Sequence, residues 1–171
     1  MFTPPRAPHI LLLVADDLPY QLFPHAGTAG SEASLLPRIG SLVDDGLLLR
    51  RHYTYALCAP ARASLLTGRW PHRAYNAEPP RDDRVAMTMT ACKGISPGAT
   101  SLAEKLRDEA GYRAHFVGKW HVGHATLSYT PWARGFDSSY GFFANGVDHF
   151  TKCSCRAARF EFARLLIRNI I

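Results

Sequence analysis

The first apolar segment of the chain, His9–Ala15 (HILLLVA), has consecutive rather than alternating apolar positions. A strand that is apolar on both faces is typical of a parallel sheet covered by helices, so we predict a buried strand here. Asp16 and Asp17 follow it directly. Because ligands of open α/β sheets bind beyond the carboxyl ends of the strands, this acidic pair is a candidate binding group.

The rest of the chain alternates between helical and extended patterns, with Gly68 and Gly111 as natural helix ends. Further predicted elements are a helix at Leu35–Val43, a strand at Leu47–Tyr55, a helix at Ala61–Thr67, a long loop at Asn76–Ala99, a helix from a Ser101/Glu104 capping box to Ala110, and a strand at Tyr112–Val117. This order predicts an α/β fold with a doubly wound, mostly parallel sheet and helices on both faces.

Composition narrows the functional classes only a little. The 171 residues are enough for one ordinary domain, and 47% apolar with 20% charged residues is typical of a globular protein. The formal charge of +6 comes from scattered basic residues, so it favours an anionic substrate over nucleic acid. No apolar run reaches the length of a membrane span, no secretory signal is visible, and the four cysteines follow no disulfide or zinc pattern. The compartment is therefore left open.

Cys58 is the first candidate for chemistry. It comes just before Pro60, which suits the first turn of a helix, and a helix N-terminus stabilises negative charge. Arg62, one turn later, can return to the same place as a fixed cation. A thiolate nucleophile and a buried structural cysteine both remain open on these grounds.

The extended sequence around Cys58 resembles the signature of the type I sulfatases, which are related in fold to alkaline phosphatase. Its core is Cys-x-Pro-x-Arg followed by Leu-Leu-Thr-Gly. The strings that resemble the family occur in order along the chain: Asp16-Asp17, Ala56–Arg69, Trp70–Arg73, Gly111-Tyr112, Val117–His121, Gly135–Asp137, Tyr140-Gly141 and Asp148–Phe150.

This resemblance implies that a separate formylglycine-generating enzyme oxidises Cys58 to formylglycine (3-oxoalanine). One hydroxyl of the hydrated aldehyde would attack sulfur, and the second would later release sulfate. The resemblance also implies a divalent cation, Ca²⁺ or Mg²⁺, held by Asp16, Asp17 and the modified Cys58. Arg62 would steady the formylglycine, Lys119 would bind sulfate, and His121 would bind sulfate and act as a base.

The expected domain organisation is an N-terminal part of a sulfatase catalytic domain over residues 1–151 and a divergent basic, hydrophobic tail over residues 152–171. The resemblance implies further metal and sulfate ligands that no segment after Asp148 supplies, so the predicted domain is incomplete. The main hypothesis is a sulfuric ester hydrolase acting on a small-molecule or carbohydrate sulfate. The alternatives are a catalytically inactive fragment that binds a partner, and a related phosphatase or phosphodiesterase. Members of the family are often secreted, lysosomal or periplasmic.

Overall fold

The computed structural model describes residues 7–18, 36–75, 94–124, 126–146 and 150. The chain divides into two compact units, residues 1–53 and 54–171. Most of the predicted loop Asn76–Ala99, the motif residues Asp148 and His149, and the predicted tail 152–171 lie outside the described residues.

In the first unit, helix α1 spans Pro37–Asp44 and confirms the predicted helix, beginning at a proline that is pre-set for the first helical turn. The predicted strands at His9–Ala15 and Leu47–Tyr55 are wrong for the described chain: both segments form no strand, and Leu11 is 82% exposed. An apolar strand forms only where neighbouring strands accept and donate its backbone hydrogen bonds. Local composition therefore predicts a strand, but it does not determine whether other segments of the chain pair with it.

In the second unit, helix α2 spans Cys58–Thr67 and buries one face through Ala63 and Leu66. It ends at Gly68, whose φ of 64° is the left-handed conformation that glycine adopts without a steric cost. A single turn, α3, follows at Pro71–Ala74. The predicted helix after Pro60 is confirmed, and it starts two residues before the proline.

Helix α4 spans Leu102–Ala110 and confirms the predicted capping box. The Ser101 hydroxyl accepts from the Glu104 backbone N–H, and the Glu104 carboxylate accepts from the Ser101 backbone N–H at 2.6 Å. Two otherwise unpaired helix N–H groups are thereby satisfied. Gly111, with φ of 67°, ends the helix.

Strands β1 (His115–Lys119) and β2 (Ser138–Phe142) pair in parallel, with His115 opposite Ser138 and Lys119 opposite Phe142. Two short 3-10 helices, Leu127–Tyr129 and Trp132–Arg134, lie in the connection between them. The predicted strand at Tyr112–Val117 is therefore present but shifted toward its carboxyl end. Helices together with a parallel strand pair confirm the α/β class, and the doubly wound arrangement stays a prediction.

The core of the second unit forms around Trp120, which is 1% exposed. Its indole packs edge-on against Phe116 and Phe136 and donates from Nε1 to the carbonyl of Tyr129 at 2.9 Å. Trp120 is thus a packing residue. Over the described ranges, no helix is long and apolar enough to cross a membrane.

Candidate active site

Cys58 is the first residue of α2, and its thiol is half-buried and free of any disulfide. The preceding residue, Leu57, has an extended backbone and gives the helix no side-chain cap. The first N–H groups of α2 therefore point toward the end of the helix where Cys58 lies, and they favour an anionic group there. This is the position that the sequence predicted for a nucleophile.

Arg62 lies one turn into α2 and connects this helix to the end of β1. Its Nη1 donates to the carbonyl oxygen of Lys119 at 2.5 Å. A guanidinium-to-carbonyl hydrogen bond fixes both the direction of the side chain and the position of the acceptor backbone. The predicted nucleophile helix and the predicted Lys119–His121 segment are therefore in direct contact.

Lys119 is the last residue of β1 and is only 9% exposed. Its Nζ donates to Oδ1 of Asn145 at 3.3 Å. Asn145 comes three residues after the end of β2, so the two side chains meet at the carboxyl ends of neighbouring parallel strands. Sites of open α/β folds form at this edge.

His121 is 5% exposed and has a φ of 55°, which is uncommon for a residue other than glycine. Its backbone N–H donates to the carbonyl of Phe143 at 3.0 Å, which holds the turn in place. Backbone conformations of this kind cost about 1–3 kcal/mol and cluster at functional sites. The strain at His121 is therefore an independent reason to place it in the candidate site.

His124, three residues further on, stacks its ring on Phe143 with centroids 5.9 Å apart. Within the ranges that the structure describes, no group of three or more His, Cys, Asp or Glu side chains could hold a metal ion. A packing role for His124 accounts for its position.

Asp16 and Asp17 lie in the first unit, in an exposed turn that follows segment 7–15. Asp17 has a φ of 56°, a left-handed conformation that Asp tolerates better than most residues. Their carboxylates are the hard oxygen donors that Ca²⁺ and Mg²⁺ prefer, so the pair fits a divalent cation as part of a ligand set of six or more oxygens. The metal ligands stay a prediction.

Two residues with side-chain contacts distant along the chain, Asn145 beside Lys119 and Arg134 in the interior of the second unit, were missed by the sequence reasoning. Asn145 follows β2 much as Asp16 and Asp17 follow the first apolar segment. The rule that ligands of open α/β sheets bind beyond the carboxyl ends of strands could therefore have identified Asn145 from the sequence. Arg134 is 2% exposed and binds the carbonyls of Ser96 and Ala99 and the carboxylate of Glu104. A buried arginine in the middle of a polar segment carries no comparable sequence signal.

The geometry defines an α/β protein with a cysteine at a helix N-terminus and an arginine, one turn into that helix, that is hydrogen-bonded to the backbone of Lys119. The Sulfatase family profile matches residues 8–161, and the chain belongs to this family. It is 31% identical over 149 residues to arylsulfatase J of Mus musculus, covering 86% of this chain and 23% of that protein. It is 36% identical over 138 residues to N-acetylgalactosamine-6-sulfatase of Homo sapiens, covering 80% of this chain and 26% of that protein.

Solved structures also match. The crystal structures of Ps i-CgsB and of Ps i-CgsB in complex with k-i-k-neocarrahexaose each align at 36% sequence identity with a TM-score of 0.41, over 55% of this chain and 19% of that chain. The chain spans about a quarter of the length of the curated relatives it matches.

Proposed function

We propose that this chain forms the nucleophile-bearing part of a sulfuric ester hydrolase. The observation that carries the proposal is the hydrogen bond from Arg62 to the Lys119 carbonyl. It joins the helix that begins with Cys58 to the segment that holds Lys119 and His121. Membership of the sulfatase family supports the same reaction.

The proposal assigns each residue a role that its chemistry allows. Conversion of Cys58 to formylglycine supplies a hydrated aldehyde whose hydroxyl attacks sulfur. Arg62 contributes a permanent positive charge near the helix N-terminus and keeps that end of α2 aligned with β1. Lys119 binds a sulfate oxygen through its ammonium group. His121 takes up or releases a proton during release of the alcohol and sulfate, since imidazole titrates near neutral pH.

Asp16 and Asp17, with the modified Cys58, are proposed to hold a divalent cation, Ca²⁺ or Mg²⁺. The cation would polarise a sulfate oxygen and so favour attack at sulfur. Two carboxylates suit this role because hard cations prefer charged oxygen ligands.

The proposed substrate is a sulfate ester of an aromatic or carbohydrate alcohol. Arylsulfatase J and N-acetylgalactosamine-6-sulfatase, the relatives compared above, are both named as sulfatases, the second for a sugar sulfate. The proposed protein partner is the formylglycine-generating enzyme, which would read the sequence Cys58–Arg62. The formal charge of +6 is consistent with an anionic substrate.

Aryl-sulfate turnover by the protein, expressed together with the modifying enzyme and supplied with calcium, tests this function. We expect Cys58→Ala to abolish turnover, because alanine cannot be converted to the aldehyde. Cys92→Ala is the matched control and should keep the activity of the unchanged protein. Equal turnover by both variants, or none by the unchanged protein, would contradict the proposal; the second result would favour the non-catalytic alternative.

A further inference from the structure

Lys119 and Asn145 lie on adjoining chain segments at one edge of the β1–β2 pair. The parallel pairing continues past the strand ends: the Trp120 N–H donates to the Phe142 carbonyl at 2.9 Å, and the His121 N–H donates to the Phe143 carbonyl at 3.0 Å. Asn145 follows two residues later. The backbone therefore delivers its side chain to the same edge as the predicted sulfate-binding residues.

The contact between the two side chains fixes the orientation of the Asn145 amide. An ammonium group has three donors and no acceptor, so the amide must face it with its oxygen. The distance from Nζ to Oδ1 is 3.3 Å. The amide nitrogen, on the other branch of the planar group, is then turned away from Lys119. Asn145 is exposed whereas Lys119 is buried.

We propose that Asn145 is a substrate-binding residue that recognises the sulfate group jointly with Lys119. Its amide oxygen orients the ammonium group, and its amide N–H donates to a second sulfate oxygen. A neutral side chain suits this role because it adds a donor without adding negative charge beside the anion. The assignment of sulfate as the anion rests on the proposed function; the pairing of the two side chains rests on their geometry.

A surface asparagine without a role would tolerate a charge. An aspartate at position 145, in contrast, would form an ion pair with Lys119 and repel an approaching sulfate. Asn145→Asp and Asn145→Ala are therefore the informative variants. Arg113→Gln is the matched control for charge, since it also lowers the net charge by one. Arg113 is exposed and precedes the opposite end of β1, a strand about 13 Å long.

The experiment measures how inorganic sulfate protects Lys119 from acylation by an amine-reactive reagent, with the modified peptide quantified by mass spectrometry. In the unchanged protein, sulfate should slow the acylation of Lys119 in a saturable way. We expect the apparent sulfate affinity to fall about 3- to 10-fold in Asn145→Ala, the size of one hydrogen bond. It should fall more than about 10-fold in Asn145→Asp and change less than about twofold in Arg113→Gln.

Three results would overturn the proposal: no protection of Lys119 in the unchanged protein, unchanged affinity in both Asn145 variants, or equal losses in Asn145→Asp and Arg113→Gln. Circular dichroism of each variant checks that the fold is retained. The readout needs neither formylglycine nor turnover. An inactive protein with unmodified Cys58 would therefore contradict the proposed function alone, whereas unchanged sulfate affinity in both Asn145 variants would contradict this inference alone.

Discussion

Replacement of Arg134 by methionine tests how the second unit is held together. The guanidinium is 2% exposed, and its Nη2 lies 3.3 Å from Oε2 of Glu104. It also donates to the carbonyls of Ser96, at 3.2 Å, and Ala99. Burial lowers the pKa of Arg134 from its ordinary value, and the Glu104 carboxylate opposes this change. The charge is thus retained in the interior by one carboxylate and by backbone acceptors.

The expected cost of Arg134→Met follows from what it leaves behind. Removing one partner of a buried ion pair typically costs about 3–5 kcal/mol, and this variant leaves the Glu104 carboxylate and the carbonyls of Ser96 and Ala99 without their cationic donor. That is a large part of the 5–15 kcal/mol that stabilises a typical domain. The exposed pair Lys105–Glu109 is shorter, at 2.7 Å, but its side chains are 62% and 63% exposed. Its loss should cost only about 0.3–0.5 kcal/mol.

Urea unfolding followed by tryptophan fluorescence measures both effects as changes in the free energy of unfolding. Arg134→Met is compared with Glu109→Gln as the exposed control, and Arg134→Lys should fall between them because it keeps the charge but loses the planar fork. A loss below about 1 kcal/mol for Arg134→Met, or a loss equal to that of Glu109→Gln, would refute the argument that burial rather than distance determines the contribution of the pair.

Three further predictions concern packing, titration and metal binding. Gly141→Ala should lower the midpoint of thermal unfolding strongly, because the added Cβ would collide with the carbonyl of Gly118 in β1 and because Gly141 has a φ of 156°. Gly146→Ala should change the midpoint little, since the space around the added Cβ is open. Burial raises the pKa of Tyr75, so the hydroxyl loses its proton at a lower pH in the unfolded chain than in the folded one, and the free energy of unfolding should fall above pH of about 10. Tyr75→Phe should weaken that loss of stability at alkaline pH. An identical pH profile in the variant would contradict the burial of the Tyr75 hydroxyl as its cause. The Asp16→Asn and Asp17→Asn variants should each weaken calcium binding at least about tenfold by calorimetric titration, and unchanged binding would exclude them as ligands.

The sequence predicted the helices well because their signals are local. The Ser101/Glu104 capping box and the glycines Gly68 and Gly111 define helix ends through contacts within a few residues, and the structure confirms all of them. The apolar segment His9–Ala15 is different, since a strand depends on partners that are distant along the chain. Its residues are exposed and unpaired with any strand among those the structure describes.

The candidate site likewise combines residues that short motifs identified and a contact that depends on distant parts of the chain. The motif Cys58–Arg62 and the Lys119–His121 segment were identified from short strings, and the hydrogen bond between Arg62 and Lys119 shows that they are neighbours. The contact of Lys119 with Asn145 joins residues that are 26 positions apart. It depends on the register of β1 against β2, which periodicity alone does not determine.

The identity of residue 58 in the mature protein tests the central claim most directly. The protein is expressed with the formylglycine-generating enzyme, digested, and the peptide that contains Cys58 is analysed by mass spectrometry before and after reaction with a hydrazide. The account predicts that the peptide has the mass of an aldehyde in place of the thiol, that it reacts with the hydrazide, and that Arg62→Ala reduces the conversion. An unmodified Cys58 thiol throughout, in a host with an active modifying enzyme, would contradict it.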